Sequence, residues 1–303
     1  MPDRKPVLTE AARQARAERD ARAAQALRDN LRRRKQQSRA REALPEEPAT
    51  MATRPTVLFI SLFGGAGTYD PAAFRRMPGG DDDTVWMRMT LDHLGLAARI
   101  DYRAARPHCG EALPDPAGID AVILGGSIDS VHDNHPWQAC VRDFLQRWRE
   151  TRKPLFGICG GHQMASAVEG GVVDTMQTGK IAGSYPIERT AEGQGHFLFD
   201  GFPADQEFHF SHNDRVAVPP PGAVVLARRV HTPHAALDHG GNWYSVQFHP
   251  EATADLFATV YADQPDVRAR YRVLAHTERM LLNFLTGTGV VPAGAGHADV
   301  AAA

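Results

Sequence analysis

The sequence predicts an α/β fold in which an open, mostly parallel, twisted sheet carries helices on both faces. Two observations predict this class. Short apolar segments end in glycines, as in the run from Val57 to Leu62 before Gly64-Gly65, which is typical of a strand buried on both faces. Stretches with apolar residues at helical spacing lie between such segments, and this alternation is expected of a parallel sheet.

The elements are predicted in order from these patterns. Strands are expected over residues 57–62, 98–102, 119–124, 155–159, 207–210, 224–227 and 243–248. Helices are expected over residues 84–94, 137–148, 162–168, 254–261 and 267–285. The clearest helix has one continuous apolar face, which predicts core packing and consists of Trp137, Val141, Phe144, Leu145 and Trp148.

The N-terminal segment differs in charge from the rest of the chain. Residues 1–41 contain 13 Lys and Arg against 5 Asp and Glu, although the net charge of the whole chain is −2. The composition of Leu8 to Arg41 favours helix, but its apolar positions are too few to form a buried stripe. A charged, frayed appendage is therefore favoured over an arm that binds nucleic acid or a protein partner.

Three regions are predicted along the chain. Residues 1–53 form a basic, helical or disordered N-terminal appendage and linker, because the stretch before Pro55 is rich in proline and polar residues. Residues 54–286 form the α/β domain, and residues 287–303, rich in Gly and Ala, form a disordered tail. Met51 lies shortly before the first strand, so a start of translation at this position is a further hypothesis.

The composition of the chain indicates its protein class and its cellular compartment. The chain is 43% hydrophobic and 23% charged, which is typical of a soluble globular protein and excludes collagen-like and wholly disordered classes. Its three cysteines have no CxxC spacing, so neither a disulfide framework nor a zinc site is predicted. No apolar run approaches the roughly 18 to 20 residues of a membrane span, and no secretory signal is present. We expect a cytoplasmic protein without membrane association.

Cys159 stands where a nucleophile would be exposed. It ends a predicted buried strand and opens a helix within Gly157-Ile158-Cys159-Gly160-Gly161. Such a turn lifts the sulfur out of the sheet edge, and the helix N-terminus favours a thiolate or a developing oxyanion. A cysteine at a strand end can be a small core residue, but core packing does not require glycines on both sides.

His249 and Glu251 supply a base and its partner. His249 directly follows the predicted strand 243–248, and Glu251 lies two residues further on. In an extended segment residues i and i+2 point to the same side, so this carboxylate can reach the imidazole. The carboxyl ends of the strands therefore supply Cys159, His249 and Glu251, and open α/β sheets place their sites at this edge.

These residues resemble those of the class I glutamine amidotransferase domain. The resemblance lies in Gly157-x-Cys159-x-Gly161-His162-Gln163 and, about ninety residues later, in Val246-Gln247-Phe248-His249-Pro250-Glu251. It covers roughly Thr56 to Leu285 and implies a flavodoxin-like fold. It also implies that Cys159 is the nucleophile, that His249 is the general base and acid, and that Glu251 orients the histidine.

The resemblance extends to residues around the triad. Gly125-Gly126-Ser127 resembles the family's glycine-rich turn, which implies that an N–H of Gly126 or Ser127 joins that of Gly160 in an oxyanion hole. The family's usual proline after this turn is missing, so the choice between the two donors stays open. Gln163 matches a position that contacts glutamine. The segment 210–214 resembles a family segment that holds the amino-acid end of the substrate, which implies this role for Ser211 and His212, although Asn213 replaces the usual glycine.

No metal or cofactor is predicted. Asp81, Asp82 and Asp83 are better explained as a solvated acidic helix start than as a cation site. His108 and Cys109 lack a second ligand pair for zinc. A further group, Asp129, His132 and Asp133, either shapes the mouth of the pocket or belongs to a plain surface loop.

The sequence is compatible with three functions. The first is hydrolysis of a glutamine side-chain amide through a γ-glutamyl thioester, with ammonia passed to an acceptor. The acceptor would be held by a separate synthetase partner, because the roughly fifty residues after Glu251 are too few for a synthetase domain. The second is a stand-alone γ-glutamyl peptidase or hydrolase. The third is a catalytically silent binding protein with a basic N-terminal arm, which the complete set of Cys159, His249 and Glu251 argues against. A small-molecule substrate is expected, and nucleic acid is not.

Overall fold

An eight-stranded sheet forms the centre of the structure, a computed structural model that describes residues 53–293. The predicted N-terminal appendage up to residue 52 and residues 294–303 of the predicted tail lie outside the described residues. In chain order the strands are β1 (Thr56–Ile60), β2 (Asp101–Ala105), β3 (Ala121–Leu124), β4 (Leu155–Ile158), β5 (Val172–Thr175), β6 (Ile181–Pro186), β7 (Glu188–Arg189), β8 (Glu207–His212), β9 (Asp214–Val218), β10 (Val224–Arg229), β11 (Thr232–Gly240) and β12 (Trp243–Val246).

The central sheet is parallel in the part that carries the predicted site residues. Its strand order is β2-β1-β3-β4-β12-β11-β10-β7, and the first five strands are mutually parallel. The last three pair antiparallel to their neighbours. Two separate pairs, β5 with β9 and β6 with β8, lie outside this sheet. Because β3, β4 and β12 run in the same direction, the segments that follow them leave the sheet at one edge.

Helices cover both faces of the sheet. They are α1 (Asp83–His93), α2 (Pro136–Thr151), α3 (Gly160–Val168), α4 (Ala254–Val260), α5 (Pro265–Arg268) and α6 (Arg279–Gly287), together with short 3₁₀ turns such as Pro71–Phe74. Alternate residues of β1 belong to different hydrophobic clusters, because Val57 and Phe59 pack with α1 and α6, whereas Leu58 and Ile60 pack with α2 and α3. This layering is the predicted α/β class.

The predicted helix over residues 267–285 is wrong. The chain forms α5, leaves the helical path after Arg268, and becomes helical again only at Arg279. The intervening residues make tertiary contacts that a helix would not allow. The ring of Tyr271 stacks on Phe257 at 4.4 Å between centroids, and its hydroxyl donates to the carbonyl oxygen of Phe210 at 2.7 Å. Tertiary packing therefore overrides local helix propensity here.

Other differences concern boundaries and polar strands. The second strand lies three residues later than predicted, because Ile100 is buried in the turn before β2. Five strands, β5, β6, β7, β9 and β11, have no counterpart among the predicted elements. Val291 is fully buried in the core, so the folded part extends beyond the predicted boundary at residue 286. No helix within residues 53–293 combines the length and apolarity required to cross a membrane.

Candidate active site

Cys159 lies on a strained turn between β4 and α3. Its φ of 50° and ψ of −103° lie outside the regions that residues with a side chain usually adopt. The flanking glycines make this turn sterically feasible. A Cβ on Gly161 would lie 2.4 Å from the carbonyl oxygen of Leu124, and a Cβ on Gly157 would lie 2.7 Å from that of Gly161. The glycines are thus required by the close approach of the turn to β3 and to the start of α3.

The thiol of Cys159 opens into a cavity of about 650 Å³. The residue is only 3% exposed, and it lines the floor of this cavity rather than the outer surface. Its Sγ donates toward the carbonyl oxygen of Ser211 at 3.8 Å and accepts from Nε2 of Gln247 at 3.6 Å. The second motif contains Gln247 but predicts no role for it, and the structure places its amide against the sulfur.

His249 connects the thiol to Glu251. Its Nδ1 lies 2.8 Å from Oε1 of Glu251, and the imidazole is near enough to Cys159 for the charge of the sulfur to raise its pKa. The His249 backbone N–H donates to the carbonyl oxygen of His209 at 2.8 Å, which fixes the start of the segment after β12. The structure therefore brings the three predicted catalytic residues together.

The electrostatic setting favours a protonated imidazole at His249. Burial by itself lowers its pKa, but the charges of Glu251 and Cys159 and the hydrogen bonds to both groups raise the pKa well above its ordinary value. The imidazole is therefore placed to carry a proton beside the sulfur.

The predicted oxyanion donors lie against the thiol and the imidazole. A Cβ on Gly126 would lie 2.9 Å from Cε1 of His249 and 3.7 Å from Cβ of Cys159, and a Cβ on Gly160 would lie 2.6 Å from the backbone nitrogen of Ser127. The backbone N–H groups of Gly126, Ser127 and Gly160 donate to no described residue. Three free amide donors therefore lie close to the nucleophile.

The three predicted substrate-binding residues all line the cavity, but they differ in which polar atoms are free to contact a ligand. Gln163 is 4% exposed, and its Nε2 donates to the carbonyl oxygen of Asp214 at 2.8 Å. The Nδ1 of His212 bonds to the same carbonyl oxygen at 2.8 Å, and its Nε2 has no partner among the described residues. The hydroxyl of Ser211 bonds to that of Tyr261 at 2.7 Å, so the carbonyl of Ser211, rather than its hydroxyl, faces the thiol.

An aromatic wall, which the sequence did not predict, forms another part of the cavity lining. The aromatic wall consists of Phe63, Tyr69, Phe74 and Trp86, which all line the cavity. Phe63 is at the centre of the wall, with ring centroids 5.1 Å from Tyr69, 5.1 Å from Phe74 and 5.4 Å from Trp86. The only sequence signal was an unusual density of aromatic residues in a stretch rich in glycine and proline.

Asp83 adds a buried carboxyl to the same side. It is 8% exposed, lines the cavity, and its Oδ1 has no hydrogen-bond partner among the described residues. Burial raises its pKa to about 7, while a hydrogen bond from Ser61 acts in the opposite direction. This residue was predicted only as part of a solvated acidic helix start, whereas its neighbour Asp82 caps α1 by accepting from the N–H of Thr84 at 3.0 Å.

Asp129, Asp133 and His135 are the one group among residues 53–293 whose ligand atoms lie close enough together to hold a metal ion. Their existing contacts explain the arrangement. Oδ2 of Asp129 accepts from the N–H of Gly65 at 2.8 Å and lies 3.6 Å from Nε2 of His135. Of the acidic loop at 129–133, Asp129 and Ser130 line the cavity.

Comparison with known sequences points to one family. Residues 98–264 match the family model described as glutamine amidotransferase class-I. A GMP synthase (glutamine-hydrolysing) of Aeropyrum pernix is 34% identical over 161 residues, which are 53% of this chain and 29% of that enzyme. A gamma-glutamyl-L-1-hydroxyisopropylamide hydrolase of a Pseudomonas species is 29% identical over 149 residues, which are 47% of this chain and 50% of that protein. The matched region thus spans less than a third of the GMP synthase.

Comparison with solved structures supports the fold. A glutamine amidotransferase of Thermotoga maritima superimposes with a TM-score of 0.60 at 18% identity, covering 78% of this chain and 98% of the other. A glutamine amidotransferase of Methylobacillus flagellatus gives a TM-score of 0.57 at 16% identity, covering 78% and 94%. The comparisons confirm both the predicted resemblance and the predicted fold class.

Proposed function

Because the chain belongs to the glutamine amidotransferase class-I family, we propose that it hydrolyses γ-glutamyl amides with Cys159, His249 and Glu251 as a catalytic triad. One observation carries the proposal: a cavity-lining thiol lies next to an imidazole, which in turn bonds to a carboxylate at 2.8 Å. This is the arrangement of an activated nucleophile, its base and an orienting group.

The mechanism follows from these contacts. His249 accepts the proton of Cys159, and the thiolate attacks the γ-carbonyl carbon of the substrate to form a C–S bond. The C–N bond then breaks, and the imidazolium gives its proton to the departing nitrogen, which leaves as ammonia or an amine. Water, deprotonated by His249, hydrolyses the γ-glutamyl thioester to glutamate and restores the thiol. Glu251 holds the imidazole in position and stabilises its charged form throughout.

The free amide donors stabilise the tetrahedral oxyanion in this scheme. Gly160 supplies one N–H from the start of α3, and Gly126 or Ser127 supplies the second from the turn after β3. Donors fixed by the backbone need no reorganisation when charge develops, and one such donor typically contributes about 3 kcal/mol to the barrier.

The first candidate substrate is glutamine. The relatives named as glutamine-hydrolysing GMP synthases support it, and with it a synthetase partner that consumes the ammonia. Gln163, His212 and the segment around Asp214 provide the polar side of the cavity for the amino-acid end of the substrate.

The second candidate is a stand-alone hydrolase of larger γ-glutamyl amides. The size of the cavity favours it, because about 650 Å³ is the volume of a pocket for a ligand much larger than glutamine. The relative named as a γ-glutamyl alkylamide hydrolase supports the same interpretation.

Labelling and hydrolysis together test the proposal. A glutamine-like chloroketone should alkylate Cys159 of the full chain, as detected by peptide mass spectrometry, and Cys159→Ala should abolish both labelling and glutamate release. Cys140→Ala is the matched control, because Cys140 is an exposed cysteine outside the site. Hydrolysis retained by Cys159→Ala would contradict the assignment of Cys159 as the nucleophile. Labelling confined to Cys109 and Cys140, without any hydrolysis, would contradict the proposal and favour a binding protein.

The substrate decides between the two candidates. Ammonia release from free glutamine in the absence of any partner supports the glutaminase. Glutamate release only from N-substituted γ-glutamyl amides supports the stand-alone hydrolase.

A further inference from the structure

The aromatic wall presents ring surfaces to the cavity, because its polar atoms are already bonded. The hydroxyl of Tyr69 donates to Oδ2 of Asp81 at 2.8 Å. Nε1 of Trp86 donates to the carbonyl oxygen of Pro78 at 2.8 Å. Phe63 and Phe74 have no polar atoms in their side chains. A ligand that reaches this wall therefore meets apolar and π surfaces rather than hydrogen-bond donors.

Helix α4 extends this apolar surface to the triad. Leu256, Phe257 and Val260 all line the cavity. The ring centroid of Phe257 lies 5.6 Å from that of His249. The imidazole that protonates the departing nitrogen is therefore in contact with an apolar surface.

The polar half of the cavity contains the β8–β9 segment, in which the carbonyl oxygen of Ser211 lies 3.8 Å from the thiol. Gln163, Asp214, Thr175 and Lys180 line this half, and Lys180 has an exposed ammonium above the ring of Tyr261. Charged and amide groups suit the α-amino and α-carboxyl groups of a γ-glutamyl moiety. With the amino-acid end bound there, the departing side of the amide faces the apolar half.

We propose that the aromatic wall binds an apolar substituent on the departing nitrogen, so that the preferred substrates are γ-glutamyl amides of hydrophobic, ring-bearing amines. The inference rests on the proposed function and names its substrate class. The reaction is the one given above, with the C–N bond broken, the proton of the thiol transferred to the nitrogen, and a free hydrophobic amine released in place of ammonia.

Three substrates and one wall variant test this inference in the full chain. Glutamine, γ-glutamylmethylamide and γ-glutamylbenzylamide share the γ-glutamyl group, and the last two differ by a phenyl ring. We expect kcat/KM for glutamate release to be roughly tenfold or more higher for the benzylamide than for the methylamide, in line with the contribution of buried apolar groups to specificity. Trp86→Ala should reduce this ratio by about tenfold. Trp86→Leu retains apolar volume in case the alanine variant does not fold.

Met89→Ala is the matched control. Met89 lies on the same helix, α1, and is 50% exposed outside the cavity. This substitution should leave kcat/KM for all three substrates unchanged.

The outcomes separate this inference from the proposed function. Hydrolysis of glutamine or the methylamide with no preference for the benzylamide overturns the inference and leaves the triad in place. An equal loss on all three substrates in both Trp86 variants also overturns it, because the wall then has only a structural role. γ-Glutamylputrescine carries a free ammonium group on its departing amine. A preference for this substrate over the benzylamide overturns the inference and assigns substrate selection to the carboxyl of Asp83. Failure to hydrolyse any substrate, together with absence of labelling at Cys159, contradicts the proposed function itself.

Discussion

The two sides of the cavity are encoded in the sequence in different ways. The catalytic side is built from two short motifs around Cys159 and His249, whose groups meet because β4 and β12 are parallel neighbours. The aromatic wall is built from residues scattered over the loop and the 3₁₀ turn after β1 and over helix α1. In the proposed function, the chemistry is a property of the sheet edge, whereas substrate choice depends on the loops and the helix that cover it.

Removal of the charge of Glu251 is the strongest way to break the catalytic side without changing the wall. Glu251→Gln keeps the size of the side chain but removes the charge that raises the pKa of His249. We expect kcat/KM to fall by about 10²- to 10⁴-fold on every substrate, as in other triads that lose the orienting carboxylate.

The matched control for this variant is Glu150→Gln, an exposed position at the end of α2. It should retain the activity of the unmodified chain. A loss smaller than about fivefold in Glu251→Gln would show that the carboxylate does not orient the base. A pH profile of kcat/KM measures the accompanying decrease of the His249 pKa.

The grouping of Cys159, His249 and Glu251 was also the part of the site that the sequence could predict. Gly157, Cys159 and Gly161 lie within five residues, and His249 and Glu251 lie within three, so local geometry limits where their side chains can go. Buried strands with apolar runs, such as β1, β3 and β4, were predictable for the same reason. Their pattern follows directly from burial on both faces.

The remainder depends on contacts between residues far apart in the sequence. The sequence predicted Asp83 as part of a solvated helix start, whereas it is buried in the folded chain. Its burial depends on the residues around the cavity, which a local sequence pattern does not show. Strand β11 contains polar residues such as His234 and His239, whose Nδ1 and Nε2 find partners only in the folded chain, at the carbonyl oxygen of Val216 and the hydroxyl of Ser245. No local pattern in the sequence encodes such pairs.

Asp83 offers a way to change the wall side without changing the triad. Its pKa is about 7 in the folded chain and near 3.8 when exposed, so the folded state binds more protons between these pH values. The free energy of unfolding therefore decreases as pH rises from about 4 to 7. Asp83→Asn removes this penalty, and we expect it to stabilise the protein by about 2–4 kcal/mol at pH 8 and by almost nothing at pH 4.

Denaturant unfolding at both pH values measures this difference. Asp92→Asn is the control on the same helix, because the side chain of Asp92 is 42% exposed. It should change the free energy of unfolding by less than about 0.5 kcal/mol at either pH. A gain for Asp83→Asn that does not depend on pH would rule out titration of Asp83 as its cause.

Substitution of Ser211 should have the smallest effect of these changes. It tests whether the Ser211 side chain belongs to the substrate-binding surface of the cavity. The family resemblance implies a role in substrate binding, but the hydroxyl bonds to Tyr261 at the end of α4, and only the carbonyl faces the thiol. Ser211→Ala should therefore cost about 0.5–1.5 kcal/mol of stability and reduce kcat/KM for glutamine by less than about fivefold. Tyr261→Phe removes the same hydrogen bond, so the double variant should be little less stable than either single one. A rise in KM of tenfold or more in Ser211→Ala, absent in Tyr261→Phe, would instead assign the hydroxyl to the substrate, because only the serine would then bind the amino-acid end.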